Sequence, residues 1–161
     1  MTKFRLEKYQ IDAISVETNE SFNNTINSHT GDLKTGISVG AHKSDKTKFL
    51  LILEILVQSK KEKEHISFPY FVKIKGRGTF AFSGKVSFRE VDRILRTNGA
   101  AILYGMFRGQ VNQITAQGLH GQFLLPVANF VEMYERSVNN SAKKSKTQKK
   151  TSAKNQKDSK K

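Results

Sequence analysis

Acid–base or metal chemistry in this 161-residue chain would have to come from four histidines and fourteen carboxylates. His29, His42, His65 and His120 are scattered and share no metal-ligand spacing with one another. Cysteine is absent, which excludes a disulfide framework and a thiolate metal site. There is no Gly-x-Ser-x-Gly elbow, no phosphate loop and no helix with paired histidines. Gly76-Arg77-Gly78 is too little for a phosphate loop and reads as a β-bulge or a strand end. Glu54 and Glu90 read as an edge-facing charge and a helix cap rather than as general acids. The residues therefore point away from an enzyme, and neither a metal nor a cofactor is expected.

What remains is the chemistry of apolar association. Phe123, Leu124, Leu125 and Val127 form an apolar loop run. Phe130, Met133 and Tyr134 follow on a helical stripe, and methionine and aromatic side chains suit a surface that adapts to different partners. Ile37 and Val39 are placed to complete the floor of such a groove. The same residues can also be ordinary core. Gly105 and Gly109 lie four apart on a helix, where small residues let another backbone approach closely. That face, with Tyr104 and Arg108, either meets its copy at a subunit interface or packs closely on a sheet within one chain.

The elements that position these groups are legible from periodicity. Tyr9 to Glu17 alternates, with Tyr9, Ile11 and Ala13 on one side and Ile14 and Val16 on the other. Asn19 to Asp32 is polar and reads as a long crossing loop. In Leu33 to Ala41 the alternate residues Leu33, Thr35, Ile37, Val39 and Ala41 share a face. Ser44-Asp45-Lys46 is hairpin chemistry. Thr47 to Ser59 is the strongest strand: Phe49, Leu51, Leu53, Ile55 and Val57 form one face, while Leu50, Ile52 and Leu56 make much of the other. A strand apolar on both sides is covered on both sides. Helices can cover one, and a second copy of the chain the other. Ile66, Phe68, Tyr70, Val72 and Ile74 make a fourth strand, with Pro69 suggesting an edge or bulge and Gly76, Gly78 and Gly84 marking its end.

Ser87 and Glu90 form a capping box for a short helix through Leu95. Asn98 to Gln117 is a long helix with Leu103, Phe107, Val111 and Ile114 on one face, and Gly118 as its stop. Asn129 caps a last helix to Val138. Four strands followed by helices give an α+β fold: a four-stranded antiparallel sheet with two main C-terminal helices packed on one face.

From Ser141 to Lys161 there are nine lysines, one aspartate and no large apolar residue. Such a segment cannot offset its ordering entropy, so a folded domain over 1–140 and a disordered tail over 141–161 are expected. Of the net charge of +14, the tail supplies +8, nine lysines less one aspartate. A lysine tail binds nucleic acid, ribosomes, an acidic protein or anionic lipid, or serves as a solubilising terminus. It lacks arginine and aromatics, so any nucleic-acid binding would be salt-sensitive and sequence-blind. No apolar leader is visible and the longest apolar run is far too short to span a bilayer. A cytoplasmic location without membrane insertion is expected.

Along nearly the whole domain the chain resembles the SecB family of export chaperones. Gly78-Thr79-Phe80-Ala81-Phe82 is similar to that family's glycine-aromatic strand end. Ile102-Leu103-Tyr104 with Arg108 is similar to its helix start. Gly118, Pro126-Val127-Ala128-Asn129-Phe130 and Tyr134 are similar to its loop and the start of its last helix. Gly105 replaces a usual proline, Ala128 is an insertion, and the tail is basic where the family is usually acidic. The resemblance implies a dimer of dimers, with Leu50, Ile52, Leu56, Tyr104, Gly105, Arg108 and Gly109 as the candidate interface. It also implies ATP-independent holding of unfolded polypeptides or preproteins. Asp12, Glu17 and Glu20 are the candidates for contact with a basic partner such as SecA. A branch of the family instead protects the antitoxin of a toxin–antitoxin pair.

Overall fold

The computed structural model describes residues 3–22, 31–59 and 68–140. His29, His65, Ile66 and the lysine-rich segment 141–161 lie outside them. The elements are β1 (Lys3–Thr18), β2 (Gly31–Ala41), β3 (Lys48–Ser59), β4 (Tyr70–Ser83), α1 (Phe88–Ile94), a π-helical segment Leu95–Gly99, α2 (Ala100–Thr115) and α3 at residues 130–140. The strands form one antiparallel sheet in the order β1-β4-β3-β2. The helices pack on one face, giving the expected α+β class.

The β2–β3 hairpin closes where the turn residues stand. Asp45 Oδ1 accepts from the Thr47 amide at 2.9 Å and from its hydroxyl at 2.6 Å, which holds the Asp45 carboxyl below its ordinary range. On β3, Leu51, Leu53, Ile55 and Val57 are buried under the helices, and Leu50, Ile52 and Leu56 are half-buried on the opposite face.

Strand β1 departs from simple alternation. Register shifts at Leu6/Lys8 and Ile11/Ala13 place Tyr9 opposite Gly78, Ile11 opposite Gly76, Ile14 opposite Ile74 and Val16 opposite Val72. Directly opposed residues share a face. The bulges thus bring all four apolar residues to the helical side and turn Ala13 outward, where plain alternation sets Ile14 and Val16 against Tyr9 and Ile11.

Strand β4 is interior, and Pro69 precedes it rather than marking an edge. The strand also runs straight through Gly76 and Gly78, and its end comes at Gly84 (φ +86°). The two glycines are there because α2 crosses directly over them. A Cβ on Gly76 would lie 2.7 Å from both the Gln10 carbonyl oxygen and the Phe107 ring. One on Gly78 would lie 2.9 Å from the Phe80 ring and 3.1 Å from Leu103.

The helical layer is one continuous rod where sequence suggests two helices. Ser87 Oγ accepts from the Glu90 amide at 3.3 Å, and only this arm of the capping box is made. The chain then passes through the π-helical turn without a break. Gly99 packs tightly there, where a Cβ would lie 3.0 Å from Leu95 and 3.2 Å from Leu51. On α2 the buried line is Leu103, Phe107, Val111 and Thr115; Ile114, expected on it, is exposed. Spacings of four keep the same face down, and Thr115 satisfies its hydroxyl on the Val111 carbonyl at 2.8 Å. Asn129 caps α3 as expected, accepting from the Glu132 amide at 3.1 Å.

Gly76→Ala should destabilise the fold by about 2–3 kcal/mol, since neither the strand backbone nor Phe107 can retreat. Gly40→Ala, where an added Cβ meets nothing within 4 Å, should change stability by no more than about 0.5 kcal/mol. Urea unfolding of both variants checks the pair.

Candidate functional site

The apolar loop between α2 and α3 is held by hydrogen bonds rather than by regular structure. The Tyr70 hydroxyl, at the start of β4, accepts from the His120 amide and donates to the Gly121 carbonyl, each at 3.0 Å. Gly118 fits against that ring: a Cβ there would sit 2.4 Å from the Tyr70 hydroxyl. Its role is close approach, and the left-handed residue of this loop is Gly121 (φ +72°). Thr115 Oγ1 accepts from the Phe123 amide at 2.9 Å. The Tyr104 hydroxyl donates to the Pro126 carbonyl, and its ring meets Phe130 edge-on at 5.4 Å.

These anchors decide which way each side chain points. With Phe123 and Leu125 drawn into the core, Leu124 (59% exposed) and Val127 (84%) project outward, and Leu119 (76%) joins them from the preceding turn. The facing wall comes from the end of β1. His120 Nε2 lies 3.0 Å from the Asn19 carbonyl oxygen, and its ring is edge-on to Phe22 and Tyr70. Asn19 is itself buried, donating from Nδ2 to the Phe68 carbonyl at 2.9 Å.

The result is an open groove of about 750 Å³. Phe68 and Phe123 form its floor, Phe22, Leu33 and His120 its walls, and Leu119, Leu124 and Val127 its rim. Among the described residues, no Asp, Glu, Lys or Arg lines it. Its lining joins apolar side chains to polar groups at His120 and Gln122, so the groove offers apolar contact together with hydrogen bonding.

Of the nine residues expected to bind a client, three line this groove: Phe123, Leu124 and Val127. Phe123, Leu125 and Phe130 are core residues, at 8, 0 and 3% exposure. Ile37 and Val39 pack against the core on the inner face of β2, and Leu33 on the same strand lines the groove instead. Met133 is half-buried against the core. Tyr134 lines a separate cleft beside Arg89, Arg93 and Arg96. Leu124 and Val127 lie where expected. Phe22, Leu33, Phe68, Leu119 and His120 were missed. Leu119, an apolar residue among Gly118, His120 and Gly121, carried a usable signal; the others are gathered only by tertiary structure.

The candidate interface residues also divide. A Cβ on Gly105 or Gly109 would meet nothing within 4 Å. These glycines face outward beside the exposed Ile102, so close packing on the chain's own sheet is excluded. Tyr104 is turned inward and is fully engaged by Pro126 and Phe130. Arg108 keeps a buried Nε with no hydrogen-bond partner among the described residues. Of the acids expected to meet a basic partner, Asp12 is tied to Arg77 at 2.9 Å, Glu17 accepts from Ser15, and Glu20 is exposed. The described residues hold no group of three metal-capable side chains and no helix long and apolar enough to cross a membrane.

Burial pushes the Tyr104 phenol up to about 12, against a smaller opposing pull from Arg108. The folded chain thus keeps this proton after the unfolded chain, near pH 10, has released it. The stabilisation is complete below pH ~10 and is lost as pH rises toward the folded value. Tyr104→Phe should lower stability by about 1 kcal/mol at pH 8. The unfolding free energies of native protein and variant should converge by pH ~11, as measured by urea unfolding at both pH values.

Residues 1–141 match the family of the preprotein translocase subunit SecB. Among solved structures, the chain resembles a SecB-like chaperone of Mycobacterium tuberculosis in complex with a ChAD peptide from the HigA1 antitoxin. That match has a TM-score of 0.57 at 13% identity, covering 78% of this chain and 91% of the other. A protein of unknown function from Streptococcus agalactiae aligns over 79% of this chain and 99% of its own at 11% identity, with a TM-score of 0.43. No curated protein sequence matches. The family match covers the whole described fold, and on that basis the chain belongs to the SecB family of chaperones.

Proposed function

We propose that this chaperone is an ATP-independent holdase whose clients, unfolded polypeptides or preproteins awaiting export, dock in the groove between the 118–127 loop and the end of β1. The observation that carries this reading is the uncharged groove whose rim side chains Leu119, Leu124 and Val127 are held in solvent by a hydrogen-bonded backbone. An unfolded client exposes apolar side chains, and covering them yields roughly 25 cal/mol per Å² before ordering losses. A rim with its backbone already fixed adds little ordering loss of its own.

One such groove holds a client weakly, and several on one assembly hold it strongly. The outer face of α2 is the surface proposed to join copies, as a dimer of dimers in the cytoplasm. Gly105 and Gly109 lower helix propensity by about 1 kcal/mol each relative to alanine. A close backbone partner would offset that loss and also cover Ile102. Glu17 and Glu20, at the exit of β1, remain the acids accessible to SecA. The antitoxin peptide on the Mycobacterium tuberculosis relative favours a second reading, in which the groove serves one dedicated antitoxin segment.

Leu124→Asp with Val127→Asp should leave the far-ultraviolet circular dichroism unchanged, because both side chains are exposed. Suppression of aggregation of an unfolded protein without ATP should weaken by about tenfold or more, a loss of roughly 1.4 kcal/mol in client binding. Unchanged protection would remove the groove from the mechanism. Protection confined to one antitoxin, with general clients left to aggregate, would select the dedicated reading. Light scattering should give a mass of more than one copy for the native chain and a smaller mass for Gly105→Leu with Gly109→Leu. A monomeric native chain would sink the several-groove mechanism.

A further inference from the structure

Among the described residues nothing covers the sheet face opposite the helices, and its charge pattern is ordered. Strand register sets Lys34 of β2 opposite Leu56 of β3, and Leu56 opposite Lys73 of β4. With strands about 4.8 Å apart, two ammonium-bearing stems flank one leucine across about 10 Å. Further along the same face, Lys75 stands opposite Glu54 and Arg77 opposite Ile52. Lys73, Lys75 and Arg77 thus form a cationic column on β4 that repeats every ~6.6 Å. Beside it on β3 stand Leu50, Ile52 and Leu56, with Glu54 between Ile52 and Leu56. The side chain missing at Gly36 helps open a depression of about 500 Å³ whose floor includes Leu56.

The column is only partly neutralised. Lys75 pairs with Glu54, and Arg77 pairs with Asp12. Lys34 and Lys73 have no ion pair among the described residues and are exposed. Unneutralised positive charge therefore brackets an aliphatic floor. A second copy docked face to face through this surface would bring like charges together, which disfavours self-association here. Bare polyanions would use the lysines and leave the leucine and isoleucine column idle.

We infer that this outer sheet face is a docking site for an acidic, partly apolar peptide segment of a partner protein. Carboxylates on every second residue of an extended segment match the spacing of the β4 column. Successive side chains of an extended segment point to opposite sides, so a segment lying edge-on between the two columns sets its carboxylates on the β4 cations and its alternate apolar side chains over Leu56 and Ile52 of β3. The site is separate in residues from the client groove, so the two can be occupied independently.

The probe is a fluorescein-labelled decapeptide of alternating Glu and Leu, titrated into the full chain and read by fluorescence anisotropy. Binding should be saturable, should weaken with added salt, and should fall at least tenfold in Lys34→Glu with Lys73→Glu. That variant should suppress client aggregation as well as the native chain does. The Leu124→Asp, Val127→Asp variant should bind the peptide normally. Three results would overturn the inference: undiminished binding in the lysine variant, which assigns the affinity to other lysines such as those of 141–161; loss of binding in the groove variant, which assigns it to the client site; or equally tight, equally lysine-dependent binding of an all-Glu decapeptide or a ten-nucleotide oligothymidylate, which makes the face a bare anion site.

Discussion

The contact of α2 with the backbone of β4 is the constraint on which the rest of the structure depends. Phe107 and Leu103 lie directly on Gly76 and Gly78, where no side chain could be accommodated. That closeness brings one face of the helix down on the middle of the sheet and leaves its other face, with Gly105 and Gly109, open. It also fixes where the helix ends. Thr115 closes the buried line that Leu103, Phe107 and Val111 begin, and its hydroxyl takes the Phe123 amide. The loop that rims the groove is therefore placed by the same packing that forms the core.

Exposure of the rim follows from how the loop's polar groups are satisfied. A loop against a core must find partners for its amides and carbonyls. Tyr70, Thr115 and Tyr104 provide them for His120, Gly121, Phe123 and Pro126. Each bond fixes a stretch of backbone, and the resulting path turns Leu124 and Val127 outward and Phe123 and Leu125 inward. Their exposure is held by Tyr70, Tyr104 and Thr115, all three buried. An adaptable client surface needs this combination: a fixed backbone presenting apolar side chains that no neighbour covers.

Much of the fold was legible, because alternation and capping are local signals. Strands β2 and β3, the hairpin at Asp45 and the Asn129 cap follow from spacing and side-chain chemistry alone. The β1 bulges did not, since an extra residue is visible only against the partner strand. Gly76 and Gly78 were misread for a related reason. Glycine locally signals a break, whereas here it answers to a helix that arrives thirty residues later. The unbroken helical rod was missed because Asn98 and Gly99 look like a boundary, while the π-helical turn tolerates both. In the apolar run 123–127 the composition was plain and the direction of each side chain was not. Direction was set by hydrogen bonds from residues as distant as Tyr70. The groove's walls were harder still, since Phe22, Leu33 and Phe68 have nothing in common until the sheet assembles.

Three surfaces of different character result, and they share no residues. The groove, free of charged side chains among the described residues, combines apolar and hydrogen-bonding groups, which on the proposed function suits varied clients. The outer face of α2 is small and smooth, which suits a close partner with a matching surface. The outer sheet face is charged and periodic, which suits selectivity more than raw affinity. A holding chaperone that bound client, copy and partner through one surface would have to release one to engage another. On the roles proposed for them, separate surfaces remove that competition. What joins them is α2 and the sheet it lies on: Tyr104 on its inner side holds the groove rim at Pro126, and Gly105, the next residue, faces outward. On the function proposed above, client release through rearrangement of the rim would have to disturb Tyr104, and with it the helix that presents the self-association face.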